Sequence, residues 1–287
     1  MTAVFKIDLH MHSSVSDGTD TPRELLEKVR KSGMEVFSLT DHDAVKGYGM
    51  IRKALREGDP RFLSGAEFSC RDQEGKYHIL GYGFDPDSPA IRHVVDLGHS
   101  FRMRKLKERL DFLESEFGFS FPGREIEALK ALDNPGKPHI GNLMVRYGYA
   151  KTKEQAINEY INQLHVKNRY LLPEEAVHGI LGGGGIPVLA HPAFGSGDEL
   201  ILGEEMEERL LKLLEYGLQG MEVFYSGFSP KLRSEMLALA EKYDLYVTAG
   251  SDYHGKNKLV ELGDTHLDTG QAMPEGMKRF LEDVCDR

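Results

Sequence analysis

Two short segments each place two potential metal ligands one residue apart. In His10-Met11-His12 the two imidazoles share one side of an extended strand, because side chains alternate along a strand with a period of two. Asp252-Tyr253-His254 repeats this spacing with a carboxylate in the first place. Imidazole together with carboxylate suits zinc, manganese or iron, whereas calcium and magnesium prefer oxygen ligands. Both segments therefore indicate a site for such a metal ion.

Residues of ligand type recur at or near the ends of predicted strands, where α/β folds gather their functional groups. The set is His10, His12, Asp17, His42, Glu67, His78, His191, Asp252 and His254. A catalytic zinc ion takes about three protein ligands, so nine residues suit two or three ions, with Glu67 able to bridge two of them. Such a site lowers the pKa of bound water and holds a phosphoryl group between cations. The residues alone thus predict hydrolysis of a phosphate ester.

Strand and helix patterns alternate at both ends of the chain, and these elements would position the ligands. Strands are predicted over 5–9, 36–40, 62–68, 77–84, 186–190, 220–225 and 245–249, with helices between most of them. Thr21, Pro22 and Glu24 predict a capping box at the start of the first helix, and Gly33 predicts its end. Repeated strand–helix units imply an α/β fold with a parallel sheet, open or closed.

The alternation stops between residues 87 and 177. Four helices are predicted there in succession, over 91–117, 124–132, 137–147 and 152–164. We expect residues 87–177 to be a helical insertion that supplies substrate recognition. Residues 1–86 and 178–287 would then form the metal-binding domain.

Composition excludes several classes of protein. The chain has 287 residues, 40% of them hydrophobic and 29% charged, which excludes disorder over most of its length. Its 36 Lys and Arg residues against 46 Asp and Glu residues give a net charge of −10, which disfavours binding to double-stranded nucleic acid. A phosphorylated ligand can still bind where local cations reverse the potential. Neither a signal peptide nor an apolar span is visible, so we expect a cytoplasmic protein that binds no membrane.

Seven motifs occur in an order that resembles one known family. They are Asp8-Leu9-His10-Met11-His12-Ser13, Ser16-Asp17-Gly18, Thr40-Asp41-His42-Asp43, Gly65-Ala66-Glu67, His78-Ile79-Leu80-Gly81, Ala190-His191-Pro192 and Gly250-Ser251-Asp252-Tyr253-His254. Together they are similar to the polymerase-and-histidinol-phosphatase (PHP) family. The place of the insertion resembles the branch of 3′,5′-nucleotide bisphosphate phosphatases. The resemblance implies a distorted (βα)7 barrel with a helical insertion domain and three divalent metal ions (Mn, Fe or Zn) at its C-terminal face.

The resemblance also implies how the ligands divide among the ions. His10, His12, Glu67 and Asp252 would hold one ion, Glu67, His78 and His191 a second, and Asp17, His42 and His254 a third. A hydroxide that bridges the first two ions would attack phosphorus in line. His191 or Asp252 would protonate the leaving oxygen. Asp41 would orient His42 or its neighbours.

The insertion contains a segment that resembles the place where the nucleotide phosphatases hold the second phosphate of their substrate. It is Asn134-Pro135-Gly136-Lys137-Pro138-His139. Lys137 stands where that branch has arginine, and Asn142 stands where it usually has another. Lysine lacks the bidentate fork of arginine, so a sugar cyclic phosphate or a nucleoside monophosphate fits as well as a bisphosphate. The predicted substrate-binding residues are Lys137, His139 and Asn142, with Arg146, Lys167 and Arg169 as further candidates.

Two other features have structural interpretations. Arg102, Arg104, Lys105, Lys107 and Arg109 are interpreted as the polar side of a helix whose apolar face is Met103, Leu106, Leu110 and Leu113. The glycine run 182–185 lacks the Lys and Ser or Thr of a P-loop and precedes a strand, so it predicts a turn.

The sequence therefore predicts a metal-dependent phosphoesterase that acts on a small phosphorylated metabolite, a nucleotide or a sugar phosphate. A cyclic phosphodiesterase acting on a ribose cyclic phosphate is an open alternative, and so is 5′–3′ trimming of short single-stranded RNA ends. From another class, an amidohydrolase acting on C–N bonds usually needs fewer ions, so the third ligand set argues against it. An inactive metal-binding module typically lacks ligands, and all nine are present.

Overall fold

The structure is a computed structural model that describes residues 6–164, 170–195, 199–267 and 272–285. Its strands are β1 (Ile7–Asp8), β2 (Val36–Ser38), β3 (Arg61–Leu63), β4 (Gly65–Arg71), β5 (Lys76–Tyr82), β6 (Ile186–Leu189), β7 (Gly220–Tyr225) and β8 (Tyr246–Gly250). Its α-helices are α1 (Pro22–Ser32), α2 (Lys46–Ala54), α3 (Pro89–Phe117), α4 (Gly123–Lys130), α5 (Lys137–Arg146), α6 (Lys153–Gln155), α7 (Pro173–Gly182), α8 (Gly203–Glu215), α9 (Pro230–Lys242) and α10 (Glu275–Cys285). Helix α6 continues as a π-helical turn (Ala156–Tyr160) and a 3-10 turn (Ile161–Gln163), and a further 3-10 turn spans Gly255–Asn257.

Helix α1 begins and ends where the sequence predicts. Thr21 Oγ1 accepts a hydrogen bond from the Glu24 amide at 3.3 Å, and the Glu24 carboxylate accepts one from the Thr21 amide at 2.8 Å. Gly33 follows the last turn with a φ of 73°, a left-handed value that glycine adopts without strain. Leu25 is buried in the same apolar cluster as Phe37 of β2, so α1 packs against this part of the sheet.

The strands form two sheets instead of one uniformly parallel sheet. The first has the order β1-β2-β3, all parallel, and the second has the order β4-β5-β6-β7-β8. Strand β5 runs antiparallel to both β4 and β6, whereas β7 is parallel to β6 and β8. The expectation of a parallel sheet is therefore wrong at β5. Only residues 72–75 separate β4 from β5, and a parallel connection needs a crossover of about a dozen residues or more.

The strand predicted over 62–68 is two strands, β3 and β4, which belong to different sheets. Ser64 lies between them, and its hydroxyl donates to the Phe84 carbonyl at 2.7 Å. Gly65 follows, and a Cβ there would lie 2.1 Å from the Ser38 hydroxyl oxygen and 3.2 Å from the Leu39 carbonyl oxygen. The chain therefore passes from one sheet to the other at a point where only a small residue fits.

Backbone hydrogen bonds connect the two sheets beyond the ends of β1 and β2. The His12 amide donates to the Tyr253 carbonyl at 2.8 Å, and the Asp43 amide donates to the Glu67 carbonyl at 2.8 Å. Among the described residues these contacts form isolated bridges and not a continuous ladder. The fold is thus a mixed α/β arrangement in which the end of β1 lies beside β8 and the end of β2 lies beside β4.

Besides the cluster of Leu25 and Phe37, apolar side chains form a main cluster around the second sheet and another in the helical region. The helical cluster is Leu106, Leu110, Leu113, Leu129, Ile140, Leu143, Met144, Ala156 and Ile161. Helix α3 joins the two, because Ile91 and Val94 near its start belong to the main cluster. The predicted apolar face of the basic run is confirmed, since Leu106, Leu110 and Leu113 are buried and Met103 packs against them.

The glycine run 182–185 forms the predicted turn between α7 and β6. The Gly183 amide donates to the Gly179 carbonyl at 3.0 Å, and the Gly185 amide donates to the Ile180 carbonyl at 2.9 Å. Because these amides bond to carbonyls of the preceding helix, they do not form a phosphate cradle.

Helix α3, with 29 residues, is long enough to cross a bilayer but carries charged residues throughout. No helix within the described ranges combines the length and the apolar character that a membrane span requires.

Leu113→Ala tests how much the helical cluster stabilises the protein. Leu113 is fully buried there, and truncating a buried leucine to alanine costs about 2–5 kcal/mol. We expect a lower urea midpoint in equilibrium unfolding followed by circular dichroism. The matched control is Leu211→Ala on α8, where the side chain is 43% exposed, so the midpoint is expected to change little. Equal shifts for the two variants would contradict the packing described for α3.

Candidate metal centre

The structure brings all nine predicted ligand residues to one place. Within the part of the chain that it describes, three overlapping groups each have ligand atoms within 4.8 Å of one another. The groups are His12 with Asp17, His42 and His254, then His10 with His12 and Glu67, and finally His42 with Glu67 and His78. His191 joins them through its Nε2, 3.2 Å from Glu67 Oε1. Asp252 joins them through its Oδ1, 3.3 Å from His12 Nε2.

Strand direction explains how His78 reaches this cluster. His78 is the third residue of β5, so in a parallel strand it would lie at the end away from the other ligands. Because β5 is antiparallel to β6, its start lies beside the end of β6, and the Ala190 amide donates to the His78 carbonyl at 3.0 Å. His191 follows Ala190, so the two imidazoles meet, with His78 Nδ1 3.3 Å from His191 Nε2.

Backbone strain occurs at two of the candidate ligands. His191 has a φ of 27° and Asp252 has a φ of 56°. Residues other than glycine rarely adopt such values, and the strain costs about 1–3 kcal/mol at each position. It is typical of sites where the surrounding structure fixes a functional side chain.

Glu67 lies at the centre of the cluster and is 1% exposed. Its Oε1 lies 2.7 Å from His78 Nδ1, and its Oε2 lies 3.0 Å from His42 Nδ1 and 3.1 Å from His12 Nε2. Despite these short distances, Oε2 has no well-aligned hydrogen bond from any residue that the structure describes. A buried carboxylate oxygen surrounded by imidazole nitrogens without hydrogen-bond geometry is an arrangement that fits a divalent cation.

The charges of the cluster compensate one another. Burial raises the pKa of the Glu67 carboxyl, but the imidazoles of His42, His78 and His10 outweigh burial and hold that pKa well below its usual range. Burial also lowers the pKa of His78, and Glu67 offsets only part of that effect. The lowered pKa of Glu67 favours its carboxylate form and the lowered pKa of His78 favours its neutral imidazole form, and these are the forms that bind metal ions.

Glu222 contacts the cluster on the side of His10 that faces away from Glu67, and it was not identified from the sequence as a functional residue. It is fully buried, and its Oε1 lies 2.9 Å from His10 Nδ1 while its Oε2 accepts a hydrogen bond from the His191 amide at 2.8 Å. A carboxylate on the far nitrogen of a metal-binding imidazole fixes its orientation and raises its basicity. The signal that could have revealed Glu222 is an acidic residue in the middle of the otherwise apolar strand Gly220–Tyr225.

Asp252 is held on its outer side by two residues that no motif indicates. Tyr225 donates its hydroxyl proton to Asp252 Oδ2 at 2.9 Å, and the Lys258 ammonium donates to the same oxygen. Burial raises the pKa of Asp252, but His10, His12, His254 and Lys258 together hold it well below the usual range. The other oxygen, Oδ1, is thereby directed at the imidazoles.

The hydrogen bonds of the Asp41 carboxylate go to the loop after His12 and not to the His42 imidazole, among the residues that the structure describes. This carboxylate accepts hydrogen bonds from the Ser13 amide at 2.8 Å, the Ser13 hydroxyl at 2.7 Å and the Ser16 hydroxyl at 2.7 Å. Asp41 therefore fixes the loop between His12 and Asp17. The expectation that it would orient His42 or its neighbours fits only for these nearby residues.

Two adjoining cavities open beside the cluster, and Asp17, His42 and His78 line both. The first, of about 290 Å³, also contains Lys153 and Lys258 in its wall. The second, of about 340 Å³, is lined by the five cationic side chains Lys76, Arg102, Lys105, Arg109 and Lys137, which we call the cationic pocket. Its five lysine and arginine side chains outnumber the acidic residues Asp17 and Asp43 in the lining. Burial, with Arg102 and Arg109 nearby, lowers the pKa of Lys105 to about 7, so part of this lysine is neutral near pH 7.

The basic run of α3 therefore has a second role beyond the predicted polar face. Arg102, Lys105 and Arg109 are spaced like neighbours on one side of a helix, and that side lines the cationic pocket. Lys107 lies outside this stripe, 74% exposed, and pairs with Asp111.

The predicted substrate-binding residues do not all meet. Lys137 lines the cationic pocket, where its ammonium also donates to Asn162 Oδ1 at 2.5 Å. His139 Nδ1 accepts a hydrogen bond from the Gly136 amide at 3.1 Å, and Asn142 is exposed on α5. Arg146 is exposed and pairs with Glu125, while Lys167 and Arg169 lie outside the described residues.

Glu222→Gln tests the support of the metal cluster. Glutamine keeps the shape but loses the charge that faces His10, and loss of such a partner weakens metal binding by about 10–100-fold. The measurement is calorimetric titration of the metal-free protein with Mn²⁺. Glu235→Gln is the control, because Glu235 is on the surface of α9 and pairs only loosely with Lys231. An unchanged affinity in Glu222→Gln would remove Glu222 from the site.

Comparison with known proteins shows relatives that span most of the chain. A 3′,5′-nucleoside bisphosphate phosphatase from Chromobacterium violaceum is 32% identical over 86% of this chain and 87% of its own. A 5′-3′ exoribonuclease from Haemophilus influenzae is 28% identical over 90% of this chain and 93% of its own. A phosphoribosyl 1,2-cyclic phosphate 1,2-diphosphodiesterase from Eggerthella lenta is 30% identical over 87% of this chain and 94% of its own.

Solved structures have the same fold over nearly the whole chain. A putative metal-dependent phosphoesterase from Bifidobacterium adolescentis is 27% identical, covers 98% of this chain and 97% of its own, and gives a TM-score of 0.81. A structure described as an amidohydrolase from Chromobacterium violaceum, with bound sulfate and no metal, is also 27% identical, covers 97% and 96%, and gives 0.80. The family model of the PHP domain matches residues 8–171, more than half of the chain. The protein belongs to the PHP domain family.

Proposed function

We propose that the protein is a metal-dependent phosphoesterase that hydrolyses a small phosphorylated metabolite, a nucleotide or a sugar phosphate. The observation that carries the proposal is the buried Glu67 carboxylate, whose oxygens face imidazoles from several chain segments beside a cationic pocket. The relatives named as a phosphatase, an exoribonuclease and a cyclic phosphodiesterase support the same class of reaction.

The cluster would hold three divalent ions, Mn, Fe or Zn. Their ligands are assigned as His10, His12, Glu67 and Asp252 for the first, Glu67, His78 and His191 for the second, and Asp17, His42 and His254 for the third. When bound, such ions lower the pKa of water and neutralise charge on phosphate oxygens. The ligand sets overlap at Glu67, whose two oxygens face different imidazoles.

Of the two residues expected to protonate the leaving oxygen, Asp252 is the weaker candidate, and His191 would have to donate from the ring nitrogen that does not bind the second ion. Asp252 is ionised, because its pKa is held low, and its outer oxygen already accepts hydrogen bonds from Tyr225 and Lys258. His191 lines the cavity of about 290 Å³ together with Lys258. The charge of Lys258 would attract the phosphate into this cavity.

The architecture supports a distorted (βα)7 barrel with an insertion domain. The backbone bonds between the two sheets are consistent with a barrel whose ladder is interrupted, and β3 and β4 together take the place of the third predicted strand. Residues 1–86 and 178–287 would form this barrel, and residues 87–177 the substrate-recognition domain. The separate apolar cluster of α3, α4 and α5 supports the division. A cytoplasmic location stays a prediction.

The cationic pocket favours a substrate that carries a second anionic group besides the scissile phosphate. Lysine and arginine side chains in a partly desolvated pocket bind phosphate through charge-assisted hydrogen bonds. A nucleoside bisphosphate or the end of a short single-stranded RNA satisfies this requirement. A ribose cyclic phosphate satisfies it when a second phosphate is present on the sugar.

Product analysis on a small panel of compounds tests the reaction class. The panel is a nucleoside 3′,5′-bisphosphate, a nucleoside monophosphate, a phosphorylated ribose cyclic phosphate, a short RNA and an N-acyl amino acid, and products are separated by anion-exchange chromatography. Inorganic phosphate reports hydrolysis of a monoester, whereas a new monoester or a released nucleotide reports hydrolysis of a diester. We expect Mn²⁺-loaded protein to hydrolyse one or more of the phosphate esters, and chelation or Glu67→Gln to abolish turnover. Cleavage of the N-acyl amino acid without hydrolysis of any phosphate ester would replace the proposal with amidohydrolase chemistry.

Arg109→Gln tests the cationic pocket. One charged hydrogen bond is worth about 1.5–3 kcal/mol, so KM for the bisphosphate is expected to rise by about tenfold or more while KM for the monophosphate changes little. Lys107→Gln on the exposed side of the same helix serves as the control. Equal effects of Arg109→Gln on both substrates would place the second anionic group elsewhere.

A further inference from the structure

The segment that carries His42 is held by the helical region as well as by its own strand. Asn134, in the loop before α5, donates its side-chain amide to the His42 carbonyl at 2.6 Å. Arg102 of α3 donates through Nε to Asp43 Oδ2 at 2.6 Å and through a second nitrogen to the Ser69 hydroxyl at 2.7 Å. These bonds join His42 and Asp43 to residues 92 and 59 positions away in the chain, respectively.

These contacts are buried, so their geometry is constrained. Asn134 is 2% exposed and the Asp43 side chain is 3% exposed. Asp43 also accepts a hydrogen bond from the Ser69 amide at 2.9 Å, so one carboxylate is shared by β4 and α3. Gly98 permits the close approach of α3, because a Cβ there would lie 3.1 Å from Asp43 Cβ. A charge pair in such a place strongly resists displacement, since losing one partner leaves the other charge buried.

The bonds made by Arg102 also affect the position of the His42 imidazole, through Ser69. His42 Nδ1 lies 3.4 Å from the Ser69 hydroxyl that Arg102 holds and 3.0 Å from Glu67 Oε2. On the other side of the ring, His42 Nε2 faces Asp17 at 3.9 Å. The ring is thus positioned from its backbone by Asn134 and from its side chain by the Ser69–Arg102 pair.

We propose that Arg102 and Asn134 are positioning residues for the ion held by Asp17, His42 and His254. Ion binding by these three ligands would then depend on the packing of the helical region against the segment of His42, and not only on the strands that carry the ligands. The inference rests on the proposed function only in assuming that the cluster binds divalent ions. It assigns Arg102 a role different from that of Arg109, although both line the cationic pocket.

The test counts ions in variants, independently of turnover. Wild type, Arg102→Gln, Arg102→Lys, Asn134→Ala and the exposed-site control Arg104→Gln are stripped with chelator, reloaded with Mn²⁺ and freed of excess metal. Bound Mn²⁺ per chain is measured by atomic emission, and affinity by calorimetry. We expect Arg102→Gln and Asn134→Ala to lose one ion per chain, or to bind one ion about 10–100-fold more weakly.

Arg102→Lys and a double variant separate positioning from other roles. Arg102→Lys should restore part of the lost binding, because lysine keeps the charge opposite Asp43 but cannot also hold Ser69. In a His254→Ala background, which already lacks one ligand of this set, Arg102→Gln should remove no further ion. Should Arg102→Gln fail to fold in circular dichroism, Arg102→Gln with Asp43→Asn removes the unpaired charge and carries the same expectation.

Three results would overturn the inference. Full Mn²⁺ content and wild-type affinity in both Arg102→Gln and Asn134→Ala would show that ion binding at His42 does not depend on these two residues. Loss of an ion in Arg104→Gln as well would show a general effect of charge on α3. A wild-type protein that binds no Mn²⁺, Fe²⁺ or Zn²⁺ would overturn this inference and the proposed function together, whereas the first two results leave the proposed function intact.

Discussion

The structure of the site depends on one buried negative charge. Transfer of a carboxylate from water into a protein interior costs several kcal/mol even after relaxation, so it occurs only where opposite charges or metal ions compensate. At Glu67 the compensation comes from imidazoles on four separate segments, those of His10 and His12, of His42, of His78 and of His191. Because divalent ions would provide stronger compensation than imidazoles, ion binding and folding are expected to be coupled at this position.

The first strand and the segment after the last strand meet beside this cluster, and side-chain as well as backbone hydrogen bonds join them. Asp8 of β1 is fully buried and accepts hydrogen bonds from the Ser251 amide and hydroxyl and from the Gly263 amide. Burial raises the pKa of Asp8 to about 6 despite these bonds. The same strand ends in His10 and His12, so the contacts that join β1 to the segment after β8 also set the relative position of the ligands from both ends.

The sequence predicted which residues converge at the site better than it predicted the elements that carry them. Residue type and spacing identify histidines and acidic residues at strand ends, and the nine candidate ligands chosen in this way lie together in the structure. The direction of β5 follows from the short β4–β5 turn, and the alternation of predicted strands and helices does not reveal that direction. Helical spacing shows that Arg102, Lys105 and Arg109 share a side of α3 but not what that side meets. Support from Glu222 and Lys258 depends on contacts between distant segments, which no local pattern encodes.

Charge distribution reconciles an acidic protein with an anionic substrate. The net charge of −10 repels extended polyanions at a distance, but electrostatic interactions are screened beyond about 8 Å at physiological ionic strength. In the lining of the cationic pocket, the five lysine and arginine side chains outnumber the two acidic residues, Asp17 and Asp43. A small molecule with two anionic groups can be enclosed by this pocket and the metal cluster, whereas a duplex must also approach the acidic exterior. Under the proposed function, the residues that attract the substrate would also select for its size, because their field is strongest within the cavity.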